Sequence, residues 1–516
     1  MEVTLGDYRI RFLGIIMFSV LTAMGLIFSV YLLLNAQSAY TYAIAIMFFC
    51  LSALSGVFNI ASSYWYYRSY FYDVHIDNIT KSLKPLSRFP TVAIAVPTFN
   101  EDPEMVIENM KVLKGMNYPS DKKHYYLLDD STDAEARSKL SRFCKKDGIT
   151  YLHRNSRKGY KAGALNNMLK HSKEEFVAVF DYDETLTDKN FLMETLPYFS
   201  DMSVSYVQTE KRYAKGTLFS DTVDLFDAFF FKFIQPARAL NNTAIFAGSC
   251  GIIRRDAIDS IGGFPEYIIE DTFFSFESDI NKYKSLYVPK VYALGKPIKT
   301  FSELAKQQWR YNYGDTQFLK YFFTRKKSEN KKLLSPLSKI DYMTHGFGLN
   351  YLSTILLLFT IISVFIVFST FPVSHITLKN LFATNNLNIY LELFGVSALL
   401  VSILTPVILT KLYFNSARKG FMIFIVNFAL VLVRTKAAIS AVFSINPRTR
   451  WVRINTRDEM NLTRAIKNSL AEVSFSALLV SLGAVAIFID NFSGGVWLLW
   501  YGLLYSSTFF FFYKYG

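Results

Sequence analysis

Three acidic clusters stand where this chain could do chemistry: Asp129-Asp130, Asp181-Tyr182-Asp183 and Glu270-Asp271. The first closes the apolar run Tyr125–Leu128, where a carboxylate can accept hydrogen bonds from a base or ribose. The second closes Phe176–Phe180. Alternation along an extended chain sends i and i+2 to one side, so Asp181 and Asp183 can face one divalent cation. Mg2+ or Mn2+ held there would neutralise a diphosphate and stabilise its departure. The third cluster follows Tyr267–Ile269 and opens a helical stretch, where one carboxylate could act as general base toward an acceptor hydroxyl. A cationic stretch, Arg157, Lys158 and Lys161, lies between the first two. Any single acidic pair is equally well explained as a helix N-cap or a solvated turn. Their shared place at or near strand ends is what carries the chemical reading.

The elements that must hold these residues alternate in type. Thr91–Val96 is a compact apolar run ending at Pro97, followed by a helical pattern from about Pro103 to Met116. Tyr125–Leu128 precedes another helical stretch to Lys145, and Ile149–Leu152 precedes a helix through Lys170. Strands alternating with helices predict a mostly parallel, Rossmann-like α/β sheet with its ligand at the carboxyl ends of the strands.

The remainder belongs to a membrane. Of the 516 residues, 51% are hydrophobic and 17% aromatic, above the usual soluble composition. The net charge of +14 sits largely beside long apolar segments, which predicts membrane lipids rather than nucleic acid as the partner. The 3 cysteines lack CxxC or Cys/His spacing, so neither a disulfide framework nor a zinc site is expected. Phe12–Leu34 and Tyr42–Tyr64 are long enough to span a bilayer; a cleaved signal peptide would have a shorter core than the first. Arg68, Lys81, Lys84 and Arg88 follow the second, placing the next region in the cytoplasm of a multi-pass cell-membrane protein. Apolar segments return near Gly348–Ser369, Ile389–Leu412, Phe421–Phe443, Val473–Ile489 and Val496–Tyr513. Basic residues flank the third of these on both sides, and Arg434 and Lys436 lie within it, so it is expected at the interface. The expectation is about six spans in three regions: residues 1–70 with two helices, 71–335 cytoplasmic, and 336–516 with the rest. The third region includes an interfacial helix over about 420–444. Thr217–Asn241 and Asn312–Phe323 are aromatic helical stretches that either seat the soluble domain on the membrane or pack inside the protein. Trp309 either stacks on a sugar or is buried.

The motifs in this order resemble the processive family-2 glycosyltransferases, inverting and of GT-A fold, that include cellulose, hyaluronan and chitin synthases. Val96–Asp102 (VPTFNED) is similar to their nucleotide loop, which implies donor contacts from Pro97, Thr98, Asn100 and Glu101. Leu128–Asp133 (LDDSTD) resembles the base-binding aspartates, here Asp129 and Asp130. Arg157–Asn166 (RKGYKAGALN) resembles the segment that approaches the diphosphate through Lys161. Asp181-Tyr182-Asp183 matches the metal-binding DxD, with Asp183 the implied direct ligand and Asp181 beside it. Val207-Gln208-Thr209 resembles a "QT" turn, Phe246–Arg255 (FAGSCGIIRR) an acceptor-lining segment, and Gly262-Gly263-Phe264 the turn after it. Ile269-Glu270-Asp271 resembles "TED", which implies Asp271 as the catalytic base with Glu270 beside it. Gln307–Tyr311 (QQWRY) resembles "QxxRW": Gln307 and Arg310 match, and Tyr311 stands where the family has Trp. Trp451–Arg457 (WVRINTR), within a segment over about 447–460, resembles a gating loop that covers the donor.

The resemblance implies an inverting hexosyltransferase with a GT-A domain inserted between transmembrane helices. It would use a divalent cation to move a sugar from a UDP- or GDP-linked donor to a growing polysaccharide. A single addition to a lipid-linked acceptor is the alternative within enzymes, and a transporter with a vestigial nucleotide domain the alternative outside them. With Gly516 directly after the last apolar segment, no C-terminal cyclic-nucleotide-sensing domain is expected. The donor sugar, linkage and oligomeric state are not encoded in any motif.

Overall fold

The computed structural model describes residues 5–325, 334–369, 387–444 and 461–516. Two helices, α1 (Leu5–Leu34) and α2 (Ala39–Ser82), lead into an α/β domain. Its first part alternates strictly: β1 (Val92–Thr98), α3 (Pro103–Lys114), β2 (Lys123–Asp129), α4 (Ala134–Asp147), β3 (Thr150–His153), α5 (Tyr160–Leu169) and β4 (Phe176–Val179). β5 (Thr185–Leu186), α6 (Phe191–Thr195), β6 (Val204–Tyr213), α7 (Leu218–Phe229), α8 (Gln235–Ala239), β7 (Gly251–Arg254), α9 (Arg255–Ile261), α10 (Glu270–Ile280), β8 (Lys284–Gly295) and α11 (Phe301–Thr324) complete it. The C-terminal part is helical: α12 (Pro336–Val367), α13 (Leu387–Phe414), α14 (Ala417–Ala429), α15 (Val431–Phe443), α16 (Leu462–Asn468), α17 (Leu470–Phe488) and α18 (Phe492–Tyr515).

The strands form one sheet in the order β3-β2-β1-β4-β7-β6-β8-β5. β1 pairs in parallel with β2 and β4, and β2 with β3, as the alternation predicted. Beyond β4 the sheet is mixed, with β6 and β8 again parallel. β7 enters antiparallel between β4 and β6, and β5 closes the edge antiparallel to β8. β1, β2 and β4 are buried on both faces, which is why they read as unbroken apolar runs. Val92, Ile94 and Val96 point into one core with α3 and α4; Ala93 and Ala95 point into the other, against Ala162, Leu165 and Met168 of α5. Asp102 and Asp133 cap α3 and α4 through backbone N–H groups, so the acidic ends of VPTFNED and LDDSTD serve local structure.

Among the described residues, four helices are long and apolar enough to cross a membrane: α1 from Phe12, α2, α17 and α18. Two bent pairs would raise the number to six: α12, whose halves meet at 61°, and α14 with α15, at 45°. Of the expected span Ile389–Leu412, the side chains up to residue 399 lie outside the description. The α/β domain packs directly on the C-terminal helices and on α2. Phe219 of α7 and Phe301 of α11 are fully buried against Val426, Ala429, Phe511 and Phe512. Phe233, from the aromatic stretch 217–241, stacks on Tyr66 of α2 at 4.2 Å. Packing within the protein therefore accounts for these two rings. α15 docks along α11: the buried Arg434 donates through Nε and Nη2 to Gln308 Oε1, and Lys320 caps the last carbonyls of α15.

Candidate active site

The carboxyl ends of β1, β2 and β4 meet the N-termini of α5 and α10 and one face of α11 in an open cleft. Helix N-termini at a cleft floor favour anions, through both free N–H groups and the dipole. On α11, residues 307, 310 and 311 follow the i, i+3, i+4 rule, and Gln307, Arg310 and Tyr311 all line the cleft. The adjacent Gln308 faces away and binds Arg434. Trp309 also turns away, stacking on Tyr313 at 5.0 Å beside Ala437 and Ala441, so burial accounts for it.

Of the residues singled out in the sequence, Pro97, Thr98, Glu101, Asp130, Lys161, Asp181, Asp183, Glu270, Asp271, Gln307, Arg310 and Tyr311 line this one cleft. Asn100 and Asp129 do not, because their polar atoms are spent on the loops. Asn100, at φ +52°, accepts from the Thr132 N–H at 2.7 Å. The fully buried Asp129 accepts from the Ser131 N–H at 2.8 Å and from Tyr151 Oη at 2.6 Å. Asp130 reaches the cleft edge, but Arg154 grips its carboxylate with Nε and Nη2. Trp451, Arg457 and the rest of 447–460 lie outside the described residues.

Toward the centre the electrostatics change. Lys161 Nζ donates to Asp181 Oδ1 at 2.5 Å, and Lys211 Nζ lies 3.6 Å from Asp181 Oδ2. Burial opposes charge on Asp181, yet the two lysines outweigh it and hold its carboxyl well below the usual carboxylate range. Asp183 has no such pairing. Burial, reinforced by Asp181 and Glu184, pushes it up to about 7. Across the cleft, burial raises both Glu270 and Asp271, and the Asp271 charge raises Glu270 further. Asp271 Oδ1 is fixed by the Thr272 N–H at 2.7 Å, while a Cβ on Gly248 would lie 3.1 Å from Oδ2. Gly248 sits at φ +81°, so a side chain there would be strained as well as crowding this oxygen.

A divalent cation fits this donor set. Asp183 is a half-buried hard-oxygen ligand that a cation would return to its charged form, and Asp181 lies beside it. Among the described residues no group of three acidic, His or Cys ligands could cage an ion. Mg2+-type sites take one or two carboxylates and draw the rest from substrate phosphates and water.

The sequence reading gave no role to Phe99, Glu184 or Lys211, which also line the cleft, whereas Gly248 falls in the segment 246–255 that it gave as acceptor-lining. Phe99 carries the Arg157 guanidinium 3.4 Å above its ring centroid. Gly248, Glu184 and Lys211 form the floor. The motif Gln208-Thr209, expected as a turn, lies inside β6, where Gln208 Nε2 and Oε1 bracket Ser249 and Ala247. Register shifts on either side of Glu210 re-aim the strand, so simple alternation could not have placed Lys211.

Comparison with known proteins bears on this geometry. Residues 93–262 match the family model described as Glycosyl transferase family 2. The cellulose synthase catalytic subunit [UDP-forming] of Pseudomonas fluorescens (strain SBW25) is 30% identical over 240 residues, 45% of this chain and 32% of that protein. Glucomannan 4-beta-mannosyltransferase 1 of Oryza sativa subsp. japonica is 31% identical over 242 residues, 44% of this chain and 46% of that protein. The chain thus spans less than half the length of these relatives. The solved mannosyltransferase PcManGT from Pyrobaculum calidifontis, in complex with GDP-Man and Mn2+, superposes with a TM-score of 0.51 at 18% identity, covering 76% of this chain and 99% of that one. This likeness places the fold among the GT-A-like α/β folds.

Proposed function

We propose that this chain, which carries a family 2 glycosyltransferase domain, is an inverting hexosyltransferase acting from a UDP- or GDP-linked sugar onto a membrane-associated acceptor, a growing polysaccharide. The observation that carries this reading is one cleft facing two different carboxylate pairs across a set of fixed cations. In one pair Asp181 is held by two lysines, and in the other both carboxyls are half-buried and raised by desolvation.

The roles divide accordingly. Asp271 accepts the proton of an acceptor hydroxyl, and its raised pKa strengthens it as a base near neutral pH. The new C–O bond forms at the anomeric carbon as the bond to the diphosphate oxygen breaks. The electron pair leaves with the nucleoside diphosphate, and the anomeric configuration inverts. Arg310 of α11 and Lys161 of α5, both lining the cleft, would stabilise the departing negative charge. A divalent cation, Mg2+ or Mn2+, would add Lewis-acid stabilisation of the same oxygens, held by Asp183 with Asp181 adjacent. The stacked Phe99 and Arg157 offer a platform at the nucleobase end. Positive charge after α2 supports a cytoplasmic catalytic domain on the inner face of the cell membrane, next to the lipid-embedded helices. The bent α14–α15 pair, docked on α7 and α11, supports an interfacial place for residues 420–444.

The test is to incubate the detergent-purified protein with Mg2+ or Mn2+ and a panel of UDP- and GDP-sugars, measuring nucleoside diphosphate release and product size. Release from one donor, lost in Asp271→Asn, supports the transferase, and a long product supports polymer synthesis. One added sugar on a lipid carrier would replace the polymer reading. If no donor binds or turns over, the proposal falls.

A further inference from the structure

Lys211 has no part in the mechanism above, yet it reaches into the middle of the cleft. Its Nζ donates to Ser249 Oγ at 2.5 Å, lies 3.1 Å from Glu184 Oε1 and 3.6 Å from Asp181 Oδ2, and sits 3.4 Å from the Ala247 carbonyl. Ser249 Oγ in turn donates to Glu184 Oε1 at 2.6 Å, and Glu184 Oε2 accepts the Asp181 N–H at 2.8 Å. This closed ring ties β6 and the 247–249 segment to the loop that carries Asp181 and Asp183.

We infer that Lys211 decides which carboxylate of the Asp181/Asp183 pair takes the divalent cation, and that it makes the ion enter with the donor rather than before it. The inference rests on the glycosyl-transfer reading of this cleft and extends it to the order of binding.

Both oxygens of Asp181 face an ammonium, Oδ1 that of Lys161 and Oδ2 that of Lys211. A divalent ion on either oxygen would sit within a few ångströms of an ammonium, a repulsion that Glu184, 3.1 Å from Lys211 Nζ, relieves only in part. Among the described residues no lysine, arginine or histidine forms an ion pair with Asp183, so the ion is directed there. One protein carboxylate beside two lysines holds such an ion weakly. Arrival of a diphosphate supplies further oxygen ligands and offsets the lysine charge together. Lys211 is thus a specificity-determining residue for the metal: it blocks a two-carboxylate site in the free protein.

The experiment is Mn2+ binding to the full-length protein in detergent, followed by electron paramagnetic resonance, without nucleotide and with UDP or GDP. Wild type should bind Mn2+ weakly alone and tightly with one diphosphate. Lys211→Met should tighten nucleotide-free Mn2+ binding by about tenfold or more, since a neighbouring positive charge is gone and Asp181 Oδ2 is released, Oδ1 staying with Lys161. Lys211→Arg, which keeps the charge, should stay near wild type, and the gain in Lys211→Met should vanish when Asp181→Asn is added. Lys211→Gln retains a polar partner for Ser249 and replaces Lys211→Met if that variant does not fold. Equal Mn2+ affinity in wild type and the neutral variants would overturn the inference. Asp183→Asn separates the two failures. If it leaves Mn2+ binding intact, the donor-site reading itself is wrong. If it abolishes binding while Lys211→Met matches wild type, only the role of Lys211 is lost.

Discussion

The two ends of the cleft treat their acids in opposite ways. At the outer end, under β1 and β2, every carboxylate is already satisfied: Asp129 by Ser131 and Tyr151, Asp130 by Arg154. At the inner end, Asp183, Glu270 and Asp271 are half-buried and, among the described residues, form no ion pair, and desolvation raises all three despite the nearby lysines and Arg310. A group whose hydrogen bonds are complete before substrate arrives supports shape. One left in an unfavourable charge state has free energy to gain when a proton, cation or phosphate is exchanged. Under the proposed function, the outer end would scaffold a nucleoside and the inner end would be where bonds change.

Substitutions at the two ends should separate cleanly. Asp271→Asn keeps the shape and removes the base, and kcat should fall by about 10²–10⁴-fold with donor binding retained. Equal losses in kcat and donor affinity would instead make Asp271 a binding residue. Arg310→Ala should lower kcat by roughly 10²–10³-fold through lost stabilisation of the leaving diphosphate. Asp129→Ala should act on stability. It strands the buried Tyr151 hydroxyl and the Ser131 N–H, for about 1–3 kcal/mol in a denaturation experiment, with kcat of the folded fraction little changed. A kcat loss at Asp129 as large as that at Asp271 would erase the contrast between the ends.

The pH profile sharpens the same contrast with a smaller effect. Burial raises Asp271, so its base form is lost as pH falls through a pKa above the ordinary carboxylate range. The acid limb of kcat/KM should lie correspondingly high and persist in Glu270→Gln. A limb that disappears in that variant would assign the base to Glu270. Smallest of all should be Trp309→Phe, since this ring packs on Tyr313 outside the cleft; near-normal kinetics are expected.

What could be read from the chain alone follows the same division. β1, β2 and β4 and the acids at their ends are local patterns: apolar runs buried on both faces, then a polar residue at the carboxyl edge. Gln307, Arg310 and Tyr311 were legible through the resemblance of QQWRY to the family motif, and helix spacing then puts all three on one face. Asp129 was correctly placed at a strand end, but the sequence pattern held no sign that Tyr151, from the next strand, would occupy it. The second half of the sheet was not legible. β7 joins β4 to β6 through pairings distant in sequence, and the bulges around Glu210 break the alternation that would have exposed Lys211. The helices were legible from length and apolarity, whereas the use of α14 and α15 as a platform under α11 depends on Arg434 reaching Gln308.

Stereochemistry tests the central claim most directly. With the sugar nucleotide that turns over, the anomeric configuration of the freshly formed linkage is read by proton NMR, in wild type and in Asp271→Asn. Direct displacement with Asp271 as base predicts an inverted linkage from the wild type and none from the variant, although the variant still binds donor. Retention of configuration, or undiminished transfer by Asp271→Asn, would contradict the account.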